Sequence, residues 1–436
     1  MNNFPAITPV SSAVAGAFAA AAQGSRAADA LHREGFRRLQ DGDPDEAYRL
    51  IRHALRENPA DRQAQDNLAR VLKALGREDE AVAIYRDLIA LHSEWLPAQG
   101  NLAVSLLRRG EFAEGWRLNR ARLQVVPGLR VITEPLSGRP LYEVQPPTVQ
   151  QLRGKPVLIV SEQGIGDELF YLRWLPRLRA AGPDGIFWWP SERRGDTVNP
   201  PKLAPVLERS QELLSVVRDE AGLAALREAG ALPVALADLP LVLGHVSVED
   251  CPLPMPLEFR PQPWPVKRTR RAIGVTWQAG FASLRYKGGL YKAVPPRELG
   301  RALAAAALQA DVVVIQRGLD LWDLAQFEGG LGRAVDEVVD GVEIPADEEM
   351  DWLAGMLASL DDYVAVSNTN VHMLAAMTGY RPRGHVLAPA LPDFRWMNGP
   401  DKRGRSPWFP WTRCYRADVY GWEKPLAELS EAMQPR

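Results

Sequence analysis

The sequence predicts an all-α segment of stacked helix pairs, followed by two doubly wound α/β lobes that face one cleft. Three observations support this prediction. Small residues recur every 34 residues in the first third of the chain. Two proline-rich stretches divide the remainder of the chain. Short apolar runs alternate with amphipathic segments on both sides of the second stretch.

Length and composition indicate a multidomain globular protein. The chain has 436 residues, of which 46% are hydrophobic and 24% charged. At roughly 100 to 200 residues per domain, the length predicts more than one domain. The composition is near the average of globular proteins and argues against a fibrous or wholly disordered chain. The 52 basic and 54 acidic residues give a net charge of -2, which argues against nucleic acid as a partner.

Cysteine content and hydropathy bear on the compartment. Cys251 and Cys414 are the only cysteines, which excludes a disulfide framework and fits a reducing environment. No apolar run reaches the roughly 18 residues of a membrane span, so no transmembrane segment is expected. The Ala-rich residues 13–22 look like the apolar region of a signal peptide, but the Lys or Arg that precedes such a region is missing. We therefore expect a cytoplasmic protein in which residues 1–27 form a frayed tail or a docking helix.

The 34-residue interval predicts repeated helix pairs over residues 28–125. A helix pair needs small residues where its helices touch and a glycine or polar turn between them. Three series meet this need: Gly42, Gly76 and Gly110; Gly35, Ala69 and Ala103; Ala47, Ala81 and Gly115. They indicate three stacked units, the third degenerate after Gly115. The alternative is an ordinary helical bundle with accidental spacing.

Proline-rich segments divide the remainder of the chain. Residues 126–155 are expected to be a linker, because dense proline removes backbone donors and stops helices. The second stretch, within 251–265, separates lobes at 156–262 and 263–436, the latter with a C-terminal helix. Strands are predicted at Pro156–Val160, Ala272–Trp277, Asp311–Gln316 and Tyr363–Ser367, each an apolar run next to a helical pattern.

Two loops between a strand and a helix are candidate anion sites. Gly164, Gly166 and Asp167 follow the first strand, where free backbone N–H groups favour an anion or carboxylate. The alternative for Asp167 is a structural helix N-cap. Ser367 opens a second such loop, with His372 just inside the helix; that histidine is equally well read as a satisfied, partly buried side chain. The histidines show no paired metal spacing, so no metal is expected.

Two basic segments complete the candidates. Lys287 and Lys292 lie in a glycine-containing loop that suits a diphosphate, or is solvated surface. The segment with Arg395, Trp396 and Trp408 suits stacking on bases or sugars. Its alternative is a set of tryptophans that pack the tail onto the domain.

The order of these segments resembles that of bacterial tetratricopeptide proteins with a heptosyltransferase-like glycosyltransferase domain of GT-B fold. The motifs are GKPVLIVSEQGIGDELFYLRWLP, IGVTWQAG, VVVIQRG, LDDYVAVSNTNVHMLAAMTG and DFRWMNG. The resemblance implies that Asp167 is the general base. It implies donor binding by Gly164, Gly166, Trp277, Lys287, Lys292, Gln316, Ser367, Asn368, Thr369, Asn370 and His372, with sugar or base contacts by Arg395 and Trp396. The family typically has aspartate where this chain has Ser367, and its threonine-alanine pair near Met350 and Asp351 is missing.

The function expected from this resemblance is sugar transfer from a nucleotide-activated donor to a protein or peptide acceptor recruited by the repeats. The reaction is expected to invert the anomeric centre without a metal or other cofactor. The alternative is a non-enzymatic adaptor with a degenerate glycosyltransferase domain.

Overall fold

The computed structural model describes residues 12–190, 193–194, 197–198, 202–210, 214–266, 268–279, 292–341, 345, 347–377, 382–399, 404–418 and 421–434. The chain divides into two compact units between Ala98 and Gln99. The predicted Lys287 lies outside the described residues.

The first unit consists of antiparallel helix pairs. Its helices are α1 (Ser12–Gln40), α2 (Pro44–Glu57), α3 (Arg62–Ala74) and α4 (Glu78–Leu91), and α5 (Leu96–Arg109) begins at its end. Helix α1 runs without a break across residue 27. Asp43 caps α2 by accepting a hydrogen bond from the Glu46 N–H at 3.1 Å, and Asp61 caps α3 in the same way.

The small residues of the 34-residue series lie where the helices touch. Gly42 and Gly76 make the turns with φ of 84° and 74°, a left-handed conformation that favours glycine. A Cβ on Gly35 would lie 2.6 Å from Cγ1 of Ile51, so α1 and α2 approach closely only because this residue is glycine. Ala47 and Ala81 are fully buried. The predicted helix pairs are confirmed.

The second unit begins with helices that pack on the α/β part of the chain. They are α6 (Phe112–Asn119), α7 (Arg122–Val125), α8 (Pro127–Arg130) and α9 (Val149–Leu152), with a 3-10 turn at Leu141–Glu143. Phe112 and Trp116 are buried, and the Trp116 ring lies edge-on to Trp174 and Phe394 with centroids 6.1 and 5.3 Å away. The degenerate end of the repeats therefore belongs to the core of the α/β unit. Leu152, from the proline-rich segment, is buried in the same core.

The N-terminal lobe is built on a four-stranded parallel sheet. Its elements are β1 (Val157–Val160), α10 (Ile165–Tyr171), α11 (Leu175–Ala180), β2 (Ile186–Trp189), β3 (Arg193–Arg194), β4 (Thr197–Val198), α12 (Ala204–Arg209), β5 (Ser215–Val216), α13 (Glu220–Glu228), β6 (Leu232–Ala235) and α14 (Leu239–Val242), with 3-10 turns at Leu172–Trp174 and Leu236–Asp238. The strand order is β5-β2-β1-β6, and β3 and β4 form a separate antiparallel ribbon.

The C-terminal lobe carries a seven-stranded sheet in the order β11-β10-β7-β12-β13-β15-β14, in which β14 alone is antiparallel. Its elements are β7 (Arg271–Thr276), β8 (Gln278–Ala279), β9 (Lys292–Ala293), α15 (Pro296–Ala307), β10 (Ala310–Ile315), α16 (Leu321–Leu331), β11 (Glu337–Val339), α17 (Glu349–Ala358), β12 (Asp362–Val366), α18 (Thr369–Ala376), β13 (Arg383–Ala388), a 3-10 turn at Phe394–Trp396, β14 (Arg405–Ser406), β15 (Phe409–Arg416) and α19 (Glu423–Met433).

Both main sheets have the strand order of a Rossmann fold. When only the parallel strands of each main sheet are counted, from the first strand of each lobe, four neighbouring strands run 3-2-1-4, and the C-terminal sheet continues with 5 and 6 (β13 and β15). Strands β2, β1 and β6 are parallel, as are β10, β7 and β12. This confirms the predicted fold class, all-α repeats followed by two doubly wound lobes in the GT-B order.

Candidate functional site

The strand order indicates where each lobe would bind a ligand. In an open doubly wound sheet the crevice lies beyond the carboxyl ends of the first and fourth strands, where the connections diverge to opposite sides. In the N-terminal lobe these are β1 and β6, which precede Glu162 and Asp238. In the C-terminal lobe they are β7 and β12, which precede Trp277 and Ser367. The sequence-predicted loops therefore lie at the two crevices.

Asp167 stands in the first turn of α10, but it is not the N-cap. The N-cap is Gly164, and Asp167 is three residues inside, from where its Oδ2 accepts a hydrogen bond from the Gly164 N–H at 3.3 Å. The structural alternative is thus corrected in detail: Asp167 supplies the return bond of a capping box. Its side chain remains 27% exposed.

The Asp167 carboxylate also bridges the two lobes by pairing with the Arg395 guanidinium. Arg395 is buried, lies 4.7 Å from the centroid of the Phe170 ring, and has Asp393 Oδ1 at 3.6 Å from its Nε. Burial lowers the pKa of Arg395, but Asp393 and Asp167 more than offset this and hold it above the ordinary value. This interlobe pair was not predicted, and Arg395 in this structure contacts a carboxylate where a sugar or base was expected.

The lobes touch at the glycine of the first loop. A Cβ on Gly166 would lie 3.2 Å from Cδ2 of His372 and 3.5 Å from the Thr369 Cα. A side chain at 166 would therefore press on the His372 ring, which would have to shift by a few tenths of an ångström. The predicted site residues of the two lobes are thereby brought together, and a ligand at this point would have to lie beside Gly166.

The asparagines of the second loop hold its own shape. Asn368 is the N-cap of α18 and accepts from the Val371 N–H at 3.1 Å. The side-chain amides of Asn368 and Asn370 both donate to the Tyr363 hydroxyl, at 2.9 and 3.1 Å. Their expected donor contacts stay predictions, and the groups best placed for a ligand are Ser367, Thr369 and the backbone.

Lys292 brings a positive charge to this crevice. Its Nζ donates to the Ser367 hydroxyl at 3.4 Å, and the side chain is half-buried. Burial lowers its pKa, with Asp393 and Asp167 opposing and Arg395 adding to that effect. Within the described residues no carboxylate lies at ion-pair distance from Nζ.

His372 is buried among aromatic rings, with Phe409 5.3 Å and Phe170 6.2 Å from its own centroid. Burial, Arg395 and Lys292 lower its pKa well below the usual value, so it is neutral at pH 7. Among the described residues its Nδ1 has no hydrogen-bond partner. The residue is buried, as the alternative interpretation proposed, but it is not satisfied.

Three further predicted side chains belong to the core or to the backbone network. Trp277 stacks on Phe327 at 5.1 Å. Gln316 donates to the Gln278 carbonyl at 2.9 Å and accepts from its N–H. Trp396 is 1% exposed and stacks on Phe409 at 4.7 Å. The structure thus supports the packing alternative for Trp396, and a ligand contact by this ring would require it to move.

The N-terminal crevice is filled by a buried ion network that the sequence analysis missed. Arg122, from α7, binds Glu162 (Nε to Oε2, 3.1 Å) and Asp238 (Oδ1, 2.8 Å), and Arg120 also pairs with Asp238. Burial lowers the pKa of Arg122, but the two carboxylates hold it above its ordinary value. The partners lie 40 and 116 residues from Arg122, and no local motif announces them.

Two features are absent from the described part of the chain. No group of three His, Cys, Asp or Glu side chains there is arranged to hold a metal ion. No helix there has both the length and the apolar character needed to traverse a bilayer.

The molecule belongs to the class of proteins in which helical repeats are followed by two Rossmann-like lobes. Residues 38–102 match the tetratricopeptide repeat family, and the repeats are therefore tetratricopeptide repeats, as predicted. Over 361 residues the chain is 24% identical to Protein FlbA of Caulobacter vibrioides, covering 76% of this chain and 54% of FlbA. It thus spans about half the length of that curated relative.

Two solved structures are similar to this one at low scores. A mutant O-GlcNAc transferase of Thermobaculum terrenum has a TM-score of 0.32 and 13% identity, covering 95% of this chain and 90% of its own. A glycosyl transferase family 9 protein of Veillonella parvula has a TM-score of 0.35 and 13% identity, covering 61% and 86%. These values are too low to assign an activity to this chain.

Proposed function

We propose that this protein is a glycosyltransferase that moves a sugar from a nucleotide-activated donor to a protein or peptide acceptor held by the repeats. The observation that supports this most is Lys292. It is a half-buried cation beside Ser367, at the crevice of a Rossmann sheet, and no carboxylate of the described residues lies at ion-pair distance from it. A buried charge without a partner is costly, and a donor diphosphate would supply the missing anion.

The diphosphate would lie against Lys292, the Ser367 hydroxyl and the amino end of α18. There the helix dipole and free N–H groups favour negative charge. The Lys292 cation and these donors would stabilise the leaving group as the bond to the sugar breaks, so the proposed reaction needs no metal.

Asp167 is the proposed base. Of the three acids that follow β1, Glu162 is bound to Arg122 and Glu168 is buried against Ser161, while Asp167 retains partial exposure. It would take the proton of the acceptor hydroxyl, whose oxygen attacks the anomeric carbon as the diphosphate leaves. One displacement inverts the centre and leaves no covalent sugar–enzyme intermediate.

A second candidate function, a non-enzymatic adaptor, is favoured by the closed contact between the loops. Gly166 packs on Thr369 and His372, and Asp167 is already paired with Arg395. If this contact never opens, the repeats would bind a partner and the lobes would have no turnover.

Calorimetry of the full chain with uridine, guanosine, cytidine and adenosine diphosphates tests the proposal. We expect at least one to bind, and Lys292→Met to weaken it about 10- to 100-fold through loss of a charge-assisted bond. The control is Lys424→Met, which removes an exposed lysine on α19 and should change nothing. If no diphosphate binds, the adaptor function is the better account.

A further inference from the structure

A row of basic side chains crosses three neighbouring strands at the edge of the C-terminal sheet. In the register of the sheet His385 lies beside Arg413, and Arg413 lies beside Arg405. Neighbouring strands are about 4.8 Å apart, so these three side chains stand next to one another. Two residues earlier on the same face, β13 carries Arg383 and β15 carries Trp411.

Two members of this row form no ion pair among the described residues. Arg383 pairs with the buried Asp362 at 2.8 Å, and His385 lies 3.2 Å from the same carboxylate. Within the described residues neither Arg405 nor Arg413 has a carboxylate partner; Arg405 donates to a backbone carbonyl and Arg413 lies over a tyrosine ring. Like charges directly opposite each other in a sheet are destabilising, so a bound anion would stabilise the Arg405–Arg413 pair.

The row lines a groove of about 650 Å³, a size typical of small-ligand sites. Trp411 lines the groove and is 38% exposed, and Glu431 of α19 contributes a carboxylate to its lining. The groove therefore combines a pair of guanidinium groups with an accessible indole.

We propose that this groove binds a phosphate ester of a ring compound, either a sugar or a nucleoside. A phosphate monoester carries up to two negative charges and matches two adjacent guanidinium groups, each of which can bind two of its oxygens. The Trp411 indole would pack against the ring. Asp362 begins β12 and Ser367 follows its end, so the groove lies at the opposite end of the strand from Lys292 and is independent of the proposed function.

The experiment is calorimetry on the full chain carrying Lys292→Met, which weakens the other anion site. The probes are inorganic phosphate, glucose 1-phosphate, and adenosine and uridine monophosphates. We expect at least one ring ester to bind more tightly than inorganic phosphate. Glucose 1-phosphate alone would identify the sugar source, and the nucleotides alone the nucleoside source.

Variants locate the site. Arg405→Gln with Arg413→Gln should weaken the ester at least about tenfold, and Trp411→Leu should reduce its affinity to that of inorganic phosphate. The control Arg301→Gln removes an exposed arginine of α15 and should have no effect. Because the double variant removes like-charge repulsion, its ligand-free melting temperature should equal or exceed that of the parent.

Three results would overturn the proposal. One is the absence of binding by every ring ester. Another is an equal loss of affinity in Arg301→Gln. The third is binding of a hexaglutamate peptide as tight as that of the esters, if this binding also disappears when the same two arginines are replaced. That result would make the groove a surface for acidic protein segments.

Discussion

The two lobes share the strand order 3-2-1-4 but differ in how the charges at their crevices are paired. In the N-terminal lobe two carboxylates, Glu162 and Asp238, close around Arg122 of the chain itself. In the C-terminal lobe the cation Lys292 meets only the Ser367 hydroxyl among its described partners. The charges of the first crevice are paired internally, whereas Lys292 in the second has no carboxylate at ion-pair distance among the described residues. Topology alone thus locates two possible sites, and this difference in charge pairing is why the proposed function places the donor diphosphate at the second.

The largest expected effect concerns the segment that fills the N-terminal crevice. A chain lacking residues 1–98 should fold and retain nucleotide binding, whereas one lacking 1–123 should not fold, because it loses Phe112, Trp116 and Arg122 together. Loss of a buried aromatic side chain alone costs about 3 to 5 kcal/mol. Circular dichroism melts of both truncations measure this. If the chain lacking residues 1–123 melted cooperatively at the same temperature as the chain lacking 1–98, the N-terminal crevice would not need residues 99–123 to fill it.

Removing only the charge gives the next largest effect. Arg122→Met leaves Glu162 and Asp238 buried with Arg120 as their remaining cation, and should lower the free energy of unfolding by about 3 to 5 kcal/mol. Urea denaturation of the full chain measures it. Arg130→Met, an exposed arginine on α8, is the matched control. Equal stability of the two variants would mean that the N-terminal crevice does not depend on its arginine.

The base assignment predicts a smaller, kinetic effect. Asp167→Asn should reduce turnover by roughly 10² or more, the range of a general base, with donor affinity changed only a few-fold. Asp393→Asn is the matched control, since Asp393 also faces Arg395. Both variants disturb that arginine, so only loss of the base separates them. Equal turnover of Asp167→Asn and Asp393→Asn at saturating donor would show that Asp167 is an interlobe contact and not the base.

The smallest effect is a pH dependence at the C-terminal crevice. Burial lowers the pKa of Lys292 from its ordinary value of 10.5, so the ammonium loses its proton at a lower pH than a free lysine does. Diphosphate affinity should be full while Lys292 is protonated and fall, by about tenfold at most, as pH rises through that lowered pKa. Calorimetry between pH 7 and 10 tests this. Lys292→Arg keeps its charge throughout, and a decline of the same size in that variant would assign the effect to another group.

Local patterns predicted the fold because its determinants are local. The 34-residue spacing predicted turns at Gly42, Gly76 and Gly110, and all three glycines have the positive φ of such turns. The strand predicted at Ala272–Trp277 is found at Arg271–Thr276, and the one at Tyr363–Ser367 at Asp362–Val366. Apolar runs of that length next to helical patterns leave few alternatives.

The candidate site was only partly predictable, because its contacts join distant segments. The sequence singled out Asp167 and Arg395 separately, but they are 228 residues apart and their pairing has no local signal. For Trp396 both a ligand contact and core packing were consistent with the sequence. Burial, which decides between them, depends on how the lobes pack.

The 34-residue register of the repeats also restricts how this protein can change in length. Gly35, Ala69 and Ala103 occupy equivalent positions in successive helix pairs, and both alanines are fully buried. An insertion of any other length would shift these small residues out of the helix contacts, while a whole added unit would preserve them. Since the first unit ends at Ala98, the reach of the repeat surface can evolve in steps of one helix pair while the core of the α/β unit stays unchanged.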